Sequence, residues 1–563
     1  MSLAMKEQVS IYCKNTNTYR DYPVGTSLLE IYNDMKAEIG SKFLVVSARV
    51  NNRMEDLNFR IYRPKDIQFI DLTHASGMRV YVRTLAMALT NAVARLFPDA
   101  EIRVEHSISK GYFCSLSGLG KEITDREVMQ IKNEMIDIID ENFPIIKKEK
   151  QTKEVVNLFE RYGMKEKSFL LETLGMPYSS YYKLDGIVDF YNGVMLPSTN
   201  YIYLFDLLRY YDGLLLRIPS RQNPEVLEEA ILQPKLFEVF KEYTEWNKIT
   251  GTSNVGQLNQ MIKNKLYGGG SSLIKIAEAL HEKKIARIAD SIVSKGNIRV
   301  VLVSGPSSSG KTTFSKRLAV QLVVNKRKPV TLSLDNYYVE REQSPRDKNG
   351  EYDYESLYAL DLELFATQLE QILNGEEVQL PTYDFVAGKK KYLGNTLKLG
   401  KDDILIIEGI HALNNELTKN VAREEIFGVY VSALTTVSLD GHNWIPTTDT
   451  RLLRRIVRDN QYRGTTAKAT IARWQSVRDG EEKWIFPYQE NADVMFNSAL
   501  LFEFSVLKRH AEPVLQEVLR IDDEYAEACR LLQFLRFFTP IEDAEIPPNS
   551  LLREFLGGSS FKY

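Results

Sequence analysis

The first 225 residues alternate short apolar runs with longer amphipathic stretches. Over residues 8–70, short β-rich runs surround one stretch with helical spacing, which predicts a small module of strands and one helix. Residues 71–225 mix helical and strand-like patterns, which predicts a second, α+β domain. The strand-like runs are VSIYC, FLVVSARV, IQFIDL, EIRVEHSI and GYFCSL, and the helical ones are SLLEIYNDMKAEIG, RVYVRTLAMALTNAVARLF and REVMQIKNEMIDIIDENF.

The second half of the chain has a different rhythm. Residues 226–295 have the pattern of an interrupted helical linker, with a flexible glycine break at 268–272 and a helix at 273–294. Residues 296–520 alternate the strand-length runs RVVLVSG, PVTLSLD and ILIIEG with helical stretches, which predicts a parallel sheet with helices on both faces. Residues 521–563 form a C-terminal tail without assigned chemistry, which we expect to pack against a neighbouring domain.

A glycine-rich turn lies between the first of these strands and the helix after it. The turn matches GxxxxGK[ST] in full, and its backbone N–H groups are expected to hold phosphates at the positive end of the helix. Lys311 would contact the β and γ phosphates, and the Thr312 hydroxyl would bind Mg²⁺. The predicted nucleotide-binding residues are Gly305, Ser307, Ser308, Ser309, Gly310, Lys311, Thr312 and Thr313.

Two acidic residues follow the neighbouring strands. Glu408 ends ILIIE, where it could hold Mg²⁺ through water; the alternative is an ordinary solvated strand end. Asp335 ends PVTLSLD, where it could accept a proton from an attacking hydroxyl. The alternative for Asp335 is a helix cap.

Arginines are concentrated in RLLRRIVRDNQYRG. At helical spacing Arg451, Arg454, Arg455 and Arg458 share one face, and Arg463 follows. One interpretation is a lid that grips the phosphoryl group during transfer. The other is an exposed, salt-bridged helix with Asp449, Asp459 and Glu481-Glu482 as partners.

Composition limits the remaining classes. The chain has 563 residues, 44% hydrophobic and 26% charged, with a net charge of −3, so several soluble domains are expected and no global basic field attracts nucleic acid. Three scattered cysteines argue against a disulfide framework or zinc ribbon and fit a reducing cytoplasm. No apolar run reaches membrane-spanning length.

These motifs together resemble the uridine kinase and phosphoribulokinase family of P-loop kinases over residues 296–520. The matching stretches are GPSSSGKTT, LDNYY, PTYDFVAGK, ILIIEGIHAL and RRIVRD. The resemblance implies ATP (or GTP) as donor, Mg²⁺, and Asp335 as general base toward a sugar hydroxyl. It places Tyr338 and Tyr383 beside a nucleoside, Glu355 on ribose hydroxyls, and Arg455 and Arg458 in the lid.

The chain differs from uridine kinases at the positions where those enzymes recognise the nucleobase. Gly388, before Lys389-Lys390-Lys391, stands where they carry a histidine. Thr465 follows Arg463-Gly464 in place of a further arginine, and Arg473 replaces a glutamine. Arg463 and Arg473 are therefore the substrate-binding candidates at these places, and the identity of the acceptor stays open.

The front half resembles the N-terminal editing region of threonyl-tRNA synthetase. Residues 1–70 resemble its ubiquitin-like, β-grasp TGS domain, and residues 71–225 its second domain. The metal or editing positions of the synthetase correspond here to Thr84, Ala88, Tyr191 and Met195, none of which is a good zinc or hydrolytic group. The resemblance therefore implies lost editing, with substrate or RNA docking, dimerisation or regulation as surviving roles.

Three hypotheses follow from the sequence. The first is a cytoplasmic ATP- and Mg²⁺-dependent kinase acting on a hydroxyl of a uridine- or cytidine-like nucleoside or related small molecule. The second is a nucleotide-regulated protein that binds tRNA or another RNA through a degenerate editing domain. The third makes the front half an oligomerisation module for an ordinary kinase.

Overall fold

The computed structural model describes residues 7–264, 268–347 and 350–562. The N-terminal unit is a five-stranded mixed sheet with one helix. Its elements are β1 Gln8–Cys13, β2 Thr18–Pro23, α1 Leu28–Ile39, β3 Val45–Val50, β4 Arg53–Glu55 and β5 Lys65–Asp71. The strand order is β2-β1-β5-β3-β4, with β1 parallel to β5 and the other pairs antiparallel.

Helix α1 shows why this unit folds as the hydrophobic pattern predicts. Ser27 and Glu30 form a capping box at its start, and Gly40 ends it with a left-handed backbone (φ 58°). Leu28, Ile31 and Met35 are fully buried against the sheet. Strands β2 and β4 escaped the sequence analysis because they lie at the sheet edges and carry mostly polar or exposed residues.

The second unit contains a four-stranded and a three-stranded antiparallel sheet. Its elements are α2 Ala75–Leu96, β6 Glu101–Ile108, β7 Gly111–Ser117, α3 Asp125–Asp140, β8 Ile146–Gln151, α4 Thr152–Arg161, α5 Lys165–Leu174, β9 Tyr178–Leu184, β10 Ile187–Asp189, β11 Asp206–Tyr210 and β12 Gly213–Arg217. The strand orders are β11-β12-β7-β6 and β10-β9-β8. Most of α2 is buried, so this helix forms the centre of the unit.

Three helices then connect the front half to the C-terminal sheet: α6 Pro234–Thr250, α7 Val255–Lys263 and α8 Gly269–Lys295. The predicted glycine break at 268–272 is wrong, because α8 begins at Gly269 with Gly268 as its N-cap. These helices are part of the core. Ile285 and Ala289 of α8 are fully buried and belong to the same apolar cluster as Phe314.

The C-terminal unit is built on a parallel sheet. Its elements are β13 Val300–Ser304, α9 Lys311–Val324, β14 Pro329–Ser333, α10 Leu362–Leu373, β15 Val378–Gln379, β16 Thr382–Asp384, β17 Lys389–Lys391, β18 Thr396–Leu397, β19 Ile404–Glu408, β20 Ile426–Ser432, α11 Thr447–Arg463, α12 Ala467–Trp484, β21 Val494–Asn497, α13 Glu503–Gln516, α14 Tyr525–Leu535 and α15 Arg553–Leu556. The order β14-β19-β13-β20-β21, parallel throughout, confirms the predicted sheet.

The alternation of strand and helix is less regular than predicted. Between β19 and β20 the chain makes only short 3-10 turns, so the α-helix expected after ILIIEG is absent from residues 409–425. Strand β20 was missed by the sequence analysis, although all seven of its residues are buried next to β13. In the described ranges no helix is both long and apolar enough to cross a membrane.

A buried charge cluster joins the second unit to the C-terminal unit. The Nζ atom of Lys167 lies 2.7 Å from Asp189 Oδ1 and 2.7 Å from Asp440 Oδ1, and all three side chains are nearly inaccessible to solvent. His442 Nδ1 lies 2.6 Å from Asp189 Oδ2. Burial alone would raise the pKa of Asp189, but Lys167 and His442 hold that pKa below its ordinary value.

Replacing Lys167 should destabilise this junction. In Lys167→Met two buried carboxylates lose their shared cation, and we expect unfolding to be easier by about 3–5 kcal/mol, the usual cost of removing one partner of a buried pair. Urea unfolding followed by circular dichroism would measure the change. Lys165→Met, at an exposed position two residues earlier, is the control, and equal midpoints for both variants would contradict the assignment.

Candidate functional site

The glycine-rich turn runs from the end of β13 to the start of α9. A Cβ atom at Gly305 would lie 1.9 Å from the carbonyl oxygen of Val431 in β20, so only glycine permits this close approach. Gly310, with φ 87°, is the N-cap of α9. The turn is therefore fixed to the sheet at one end and opens directly into the N-terminus of the helix at the other.

Two buried arginines hold the backbone of this loop. Arg451 Nη1 donates to the carbonyl oxygen of Ser307 (3.3 Å), and Arg454 Nη1 donates to those of Ser308 (3.4 Å) and Ser309 (3.3 Å). Because the C=O and N–H groups of one planar trans peptide point in opposite directions, carbonyls engaged by arginine leave the amides directed elsewhere. The loop thus has a fixed backbone orientation.

Each of these arginines has a buried carboxylate partner. Arg451 Nη2 donates to Glu481 Oε2 (2.8 Å), and Arg454 Nη2 donates to Glu503 Oε2 (2.8 Å). The prediction that four arginines form one exposed or ligand-facing group is therefore wrong for Arg451 and Arg454, which are at most 1% exposed. The sequence named Glu481 as a partner but missed Glu503.

The remaining arginines of α11 share one aspartate, and one of them also contacts the loop. Arg455 Nη1 lies 3.1 Å from Ser307 Oγ. Arg455 Nε and Arg458 Nε each lie 3.2 Å from a carboxylate oxygen of Asp459, and Arg463 Nη1 lies 3.4 Å from it. One carboxylate thus partly balances three guanidinium groups, so this end of α11 keeps excess positive charge.

Glu408 and Thr312 meet at the carboxyl edge of the sheet. Thr312 Oγ1 lies 3.5 Å from Glu408 Oε1, and Ser333 Oγ donates to the same oxygen at 3.0 Å. Burial first, and then the charge of Asp335, raise the pKa of Glu408. Lys311 Nζ rests 3.2 Å from the carbonyl oxygen of Pro306. The sequence missed Ser333, which its register beside Glu408 in the parallel sheet could have indicated.

Asp335 lies just beyond β14, inside the 3-10 helix Leu334–Tyr337. Its alternative role as a cap is wrong, because Ser333 is the N-cap and accepts the N–H of Asp335 (3.4 Å). Asp335 keeps contact with solvent, and desolvation by the surrounding protein raises its pKa against the opposing charges of Lys311, Arg463 and Arg458. Asp335, Glu408 and Lys311 are thus electrostatic neighbours at one edge.

An aromatic group lies beyond Asp335. The ring centroid of Tyr383 is 5.7 Å from that of Tyr338 and 5.0 Å from that of Phe385. Tyr338 and Tyr383 are mostly buried, whereas Phe385 is exposed at the tip of the hairpin between β16 and β17. The sequence identified the two tyrosines but missed Phe385, which follows them in PTYDF.

Glu355 is near this group and has no hydrogen-bond partner for its buried Oε2 within the described ranges. Burial first, and then the Glu481 carboxylate, raise the pKa of Glu355 to about 7. A Cβ atom at Gly480 would lie 2.4 Å from Glu355 Cβ, so α12 fixes the position of this carboxylate. An unpaired acceptor at the rim suits a ligand that donates a hydroxyl.

The departures from the uridine kinase pattern have definite places. Gly388 faces the Arg341 side chain, whose Nη2 donates to the carbonyl oxygen of Phe385 (2.6 Å). Lys390 and Lys391 pair with Asp361 and Asp384. In a separate place, Arg473 is exposed, with its guanidinium 5.8 Å from the ring of Tyr354. Thr465 Oγ1 lies 3.4 Å from the carbonyl oxygen of Arg463.

The synthetase-like positions in the front half do not form an open pocket. Thr84, Ala88, Tyr191 and Met195 are all at most 2% exposed. Thr84 Oγ1 donates to the Val80 carbonyl (2.9 Å) and accepts from Leu196 N–H (3.0 Å). Across the part of the chain that the structure describes, no cluster of three or more His, Cys, Asp or Glu could hold a metal ion.

Comparison with known proteins concerns the C-terminal unit. The family model described as "Phosphoribulokinase / Uridine kinase family" matches residues 300–501. A uridine kinase of Staphylococcus aureus (strain JH9) is 28% identical over 197 residues, which cover 35% of this chain and 86% of that protein. The enzyme of strain Newman gives the same values. Residues 300–501 thus form a P-loop kinase domain of this family.

Solved structures overlap the chain over a similar share. A structure described as a possible uridine kinase from Bacillus stearothermophilus is 21% identical and covers 38% of this chain and 98% of its own, with a TM-score of 0.27. The D-glycerate 3-kinase from Cryptococcus neoformans is 16% identical and covers 45% of this chain and 87% of its own, with a TM-score of 0.21.

The raised pKa of Glu355 predicts a pH-dependent stability. Between about pH 4.5 and 7 the folded chain keeps a proton that the unfolded chain releases, so Glu355 costs stability progressively as the pH rises through this window. The free energy of unfolding of Glu355→Gln, relative to that of wild type, should rise by on the order of 2 kcal/mol between pH 4.5 and 7.5. Above pH 7.5 this difference should stay constant. Urea unfolding across this range would measure the gain.

The control for this experiment is Glu351→Gln, the same exchange at an exposed position nearby. The difference in the free energy of unfolding between Glu351→Gln and wild type should not change with pH. A Glu355→Gln variant whose stability difference is also flat would show that Glu355 is ionised normally in the folded protein.

Proposed function

We propose that this protein is an ATP- and Mg²⁺-dependent kinase that transfers the γ-phosphoryl group to a hydroxyl of a nucleoside-like small molecule. The observation that carries the proposal is the position of Lys311, Thr312, Glu408 and Asp335 at one carboxyl edge of the parallel sheet in a P-loop kinase domain. Ligands of open α/β sheets bind at this edge.

The chain's own groups divide into donor and acceptor sides. On the donor side, the loop amides and Lys311 would hold the phosphates, with the N-terminus of α9 adding its positive end. Arg455 lies next to the loop through Ser307, and Arg458 is close enough to Asp335 for their charges to interact. The charge of both arginines would stabilise the transferring group. Asp335 would accept the proton of the attacking hydroxyl, and its raised pKa suits a base.

The oxygen atoms of Glu408 and Thr312 are suitable ligands for Mg²⁺. Mg²⁺ prefers oxygen ligands and is usually held by one or two protein groups together with substrate phosphates and water. Thr312 Oγ1 and Glu408 Oε1 are two oxygens 3.5 Å apart that could serve as these protein groups. When bound, Mg²⁺ would neutralise charge on the phosphates.

The acceptor side favours a flat ring that carries hydroxyl groups. Tyr338, Tyr383 and Phe385 offer aromatic surface for the ring, and the unpartnered Glu355 Oε2 offers an acceptor for hydroxyls. A ribonucleoside of the uridine or cytidine kind combines both features. Arg341 would set the rim of this pocket, where the resemblance places a histidine in uridine kinases.

In this proposal the front half helps to hold helix α11 in position. We infer that residues 8–70 are a β-grasp unit and residues 71–225 an editing-like domain without an editing centre. Arg79 Nη2 lies 2.6 Å from Glu527 Oε2, and Glu527 contacts Arg530, which donates to both oxygens of Asp449 (2.7 and 2.8 Å). Because Asp449 is in the first turn of α11, this chain of contacts would hold the arginine-bearing helix in place.

Activity should depend on Asp335 and Lys311 in different ways. Asp335→Asn removes the base and is expected to lower kcat about 10²–10⁴-fold with the KM for ATP little changed. Lys311→Ala should abolish transfer to every acceptor, because it removes the main charge on the β and γ phosphates. A coupled assay of ADP release, screened across nucleosides and sugars, would measure both and identify the acceptor.

The matched controls are Asp402→Asn and Lys401→Ala, at exposed positions of the same unit. Both should keep wild-type turnover. Full turnover by Asp335→Asn would refute its assignment as base, and ADP release by no nucleoside or sugar would refute the proposed reaction.

The contact chain to α11 predicts a remote effect on turnover. Arg530→Gln leaves Asp449 and Glu527 without their shared guanidinium, and we expect kcat to fall about 2–30-fold, the range for residues along a coupling network. Steady-state kinetics of Arg530→Gln and of the exposed control Arg520→Gln would measure this. Unchanged kcat in both variants would show that α11 does not need this support.

A further inference from the structure

The C-terminal segment, defined here as residues 540–562, returns to the phosphate loop. Its short helix α15 packs beside α11, and Glu554 of that helix reaches the start of α9. Glu554 Oε2 accepts hydrogen bonds from the backbone N–H of Thr313 (3.1 Å) and from Thr313 Oγ1 (2.6 Å). A carboxylate thus holds a main-chain amide of the nucleotide-binding motif.

The N–H of Thr313 is one of the helix-start amides that bind phosphates in P-loops. Thr313 is the third residue of α9, and the first four N–H groups of a helix have no partner within the helix. In a P-loop, backbone N–H groups at the helix start cradle the phosphates of the nucleotide, assisted by the positive end of the helix. Glu554 therefore presents to α9 the kind of anion that a phosphate would present.

Residues on both sides of Glu554 also make close contacts with the loop and with α11. Leu551 covers the end of the loop, since a Cβ atom at Gly310 would lie 2.4 Å from Leu551 Cδ2. Phe555 is fully buried, with the Arg454 guanidinium 5.0 Å from its ring centroid. Gly557, with φ 89°, comes so close to α11 that a Cβ atom there would lie 2.3 Å from the Tyr462 hydroxyl oxygen.

The charges around Glu554 oppose its coexistence with a bound nucleotide. Glu554 is near enough to Arg458 for its carboxylate to interact with the guanidinium. A phosphate arriving at Thr313 would meet a like charge at hydrogen-bond distance from the same donors. The carboxylate already occupies the position from which a phosphate oxygen would accept this N–H, and two anions at that distance repel each other, so they exclude each other.

We propose that the C-terminal segment is an internal competitor of the nucleotide: Glu554 occupies the phosphate position at Thr313 and leaves it when a nucleoside diphosphate or triphosphate binds. The segment thereby weakens nucleotide affinity and couples occupancy of the loop to its own release. This inference rests on the proposed nucleotide binding at residues 305–313 and adds the regulation of that site.

The test uses the full-length protein and Mg²⁺–ADP as the probe. Glu554→Gln keeps the shape of the side chain but replaces a charge-assisted hydrogen bond with a neutral one, so calorimetric titration should show ADP binding about tenfold more tightly than wild type. Glu545→Gln, the same exchange at an exposed position of the segment, should bind ADP as wild type does.

A second measurement follows the segment directly in the wild-type protein. Hydrogen exchange at residues 550–558 should become faster when ADP saturates the protein, because nucleotide displaces Glu554 and frees α15. Equal or weaker ADP affinity in Glu554→Gln, or unchanged exchange at 550–558 in protein that binds ADP, would each overturn the inference while leaving the proposed kinase intact. Absence of ADP binding by both wild type and Glu554→Gln would overturn both.

Discussion

The conformation of the glycine-rich loop depends on hydrogen bonds from buried arginines to its carbonyl oxygens. Arg451 and Arg454 can do this inside the protein only because Glu481 and Glu503 balance their charge, since an unpaired guanidinium would be too costly to bury. Four buried charges therefore fix the backbone of this loop. Arg455 and Arg458 instead share the carboxylate of Asp459.

The carboxylate of Glu481 also links the loop to Glu355. Glu481 accepts the N–H of Ser307 (3.2 Å) and also raises the pKa of Glu355 through its charge. A single buried carboxylate on α12 thus contacts the loop and raises the pKa of Glu355. Because packed cores respond to displacement as units, a shift of α12 would be felt at both places.

The C-terminal unit does not stand apart from the rest of the chain. Helix α8 packs against α9, loop residues around Asp440 enclose Lys167 of the second unit, and the C-terminal segment returns to the loop. Contacts from before and after the P-loop kinase domain therefore converge on its loop and on α11. In the proposed enzyme, these contacts place the loop under the influence of residues far from it in sequence.

The sequence by itself determined the local features: the glycine-rich turn, three of the five parallel strands, Asp335 after β14 and Glu408 at the end of β19, and helices α1, α2 and α3. These depend on spacing and turn chemistry within a few residues, which a sequence displays directly. Strand β20, the partners of Arg451 and Arg454, and the contact of Glu554 with Thr313 were decided only by the tertiary structure. Glu554 is 241 residues from Thr313, and the sign and spacing of charges cannot tell a buried pair from a solvated one until packing decides which side chains lose water.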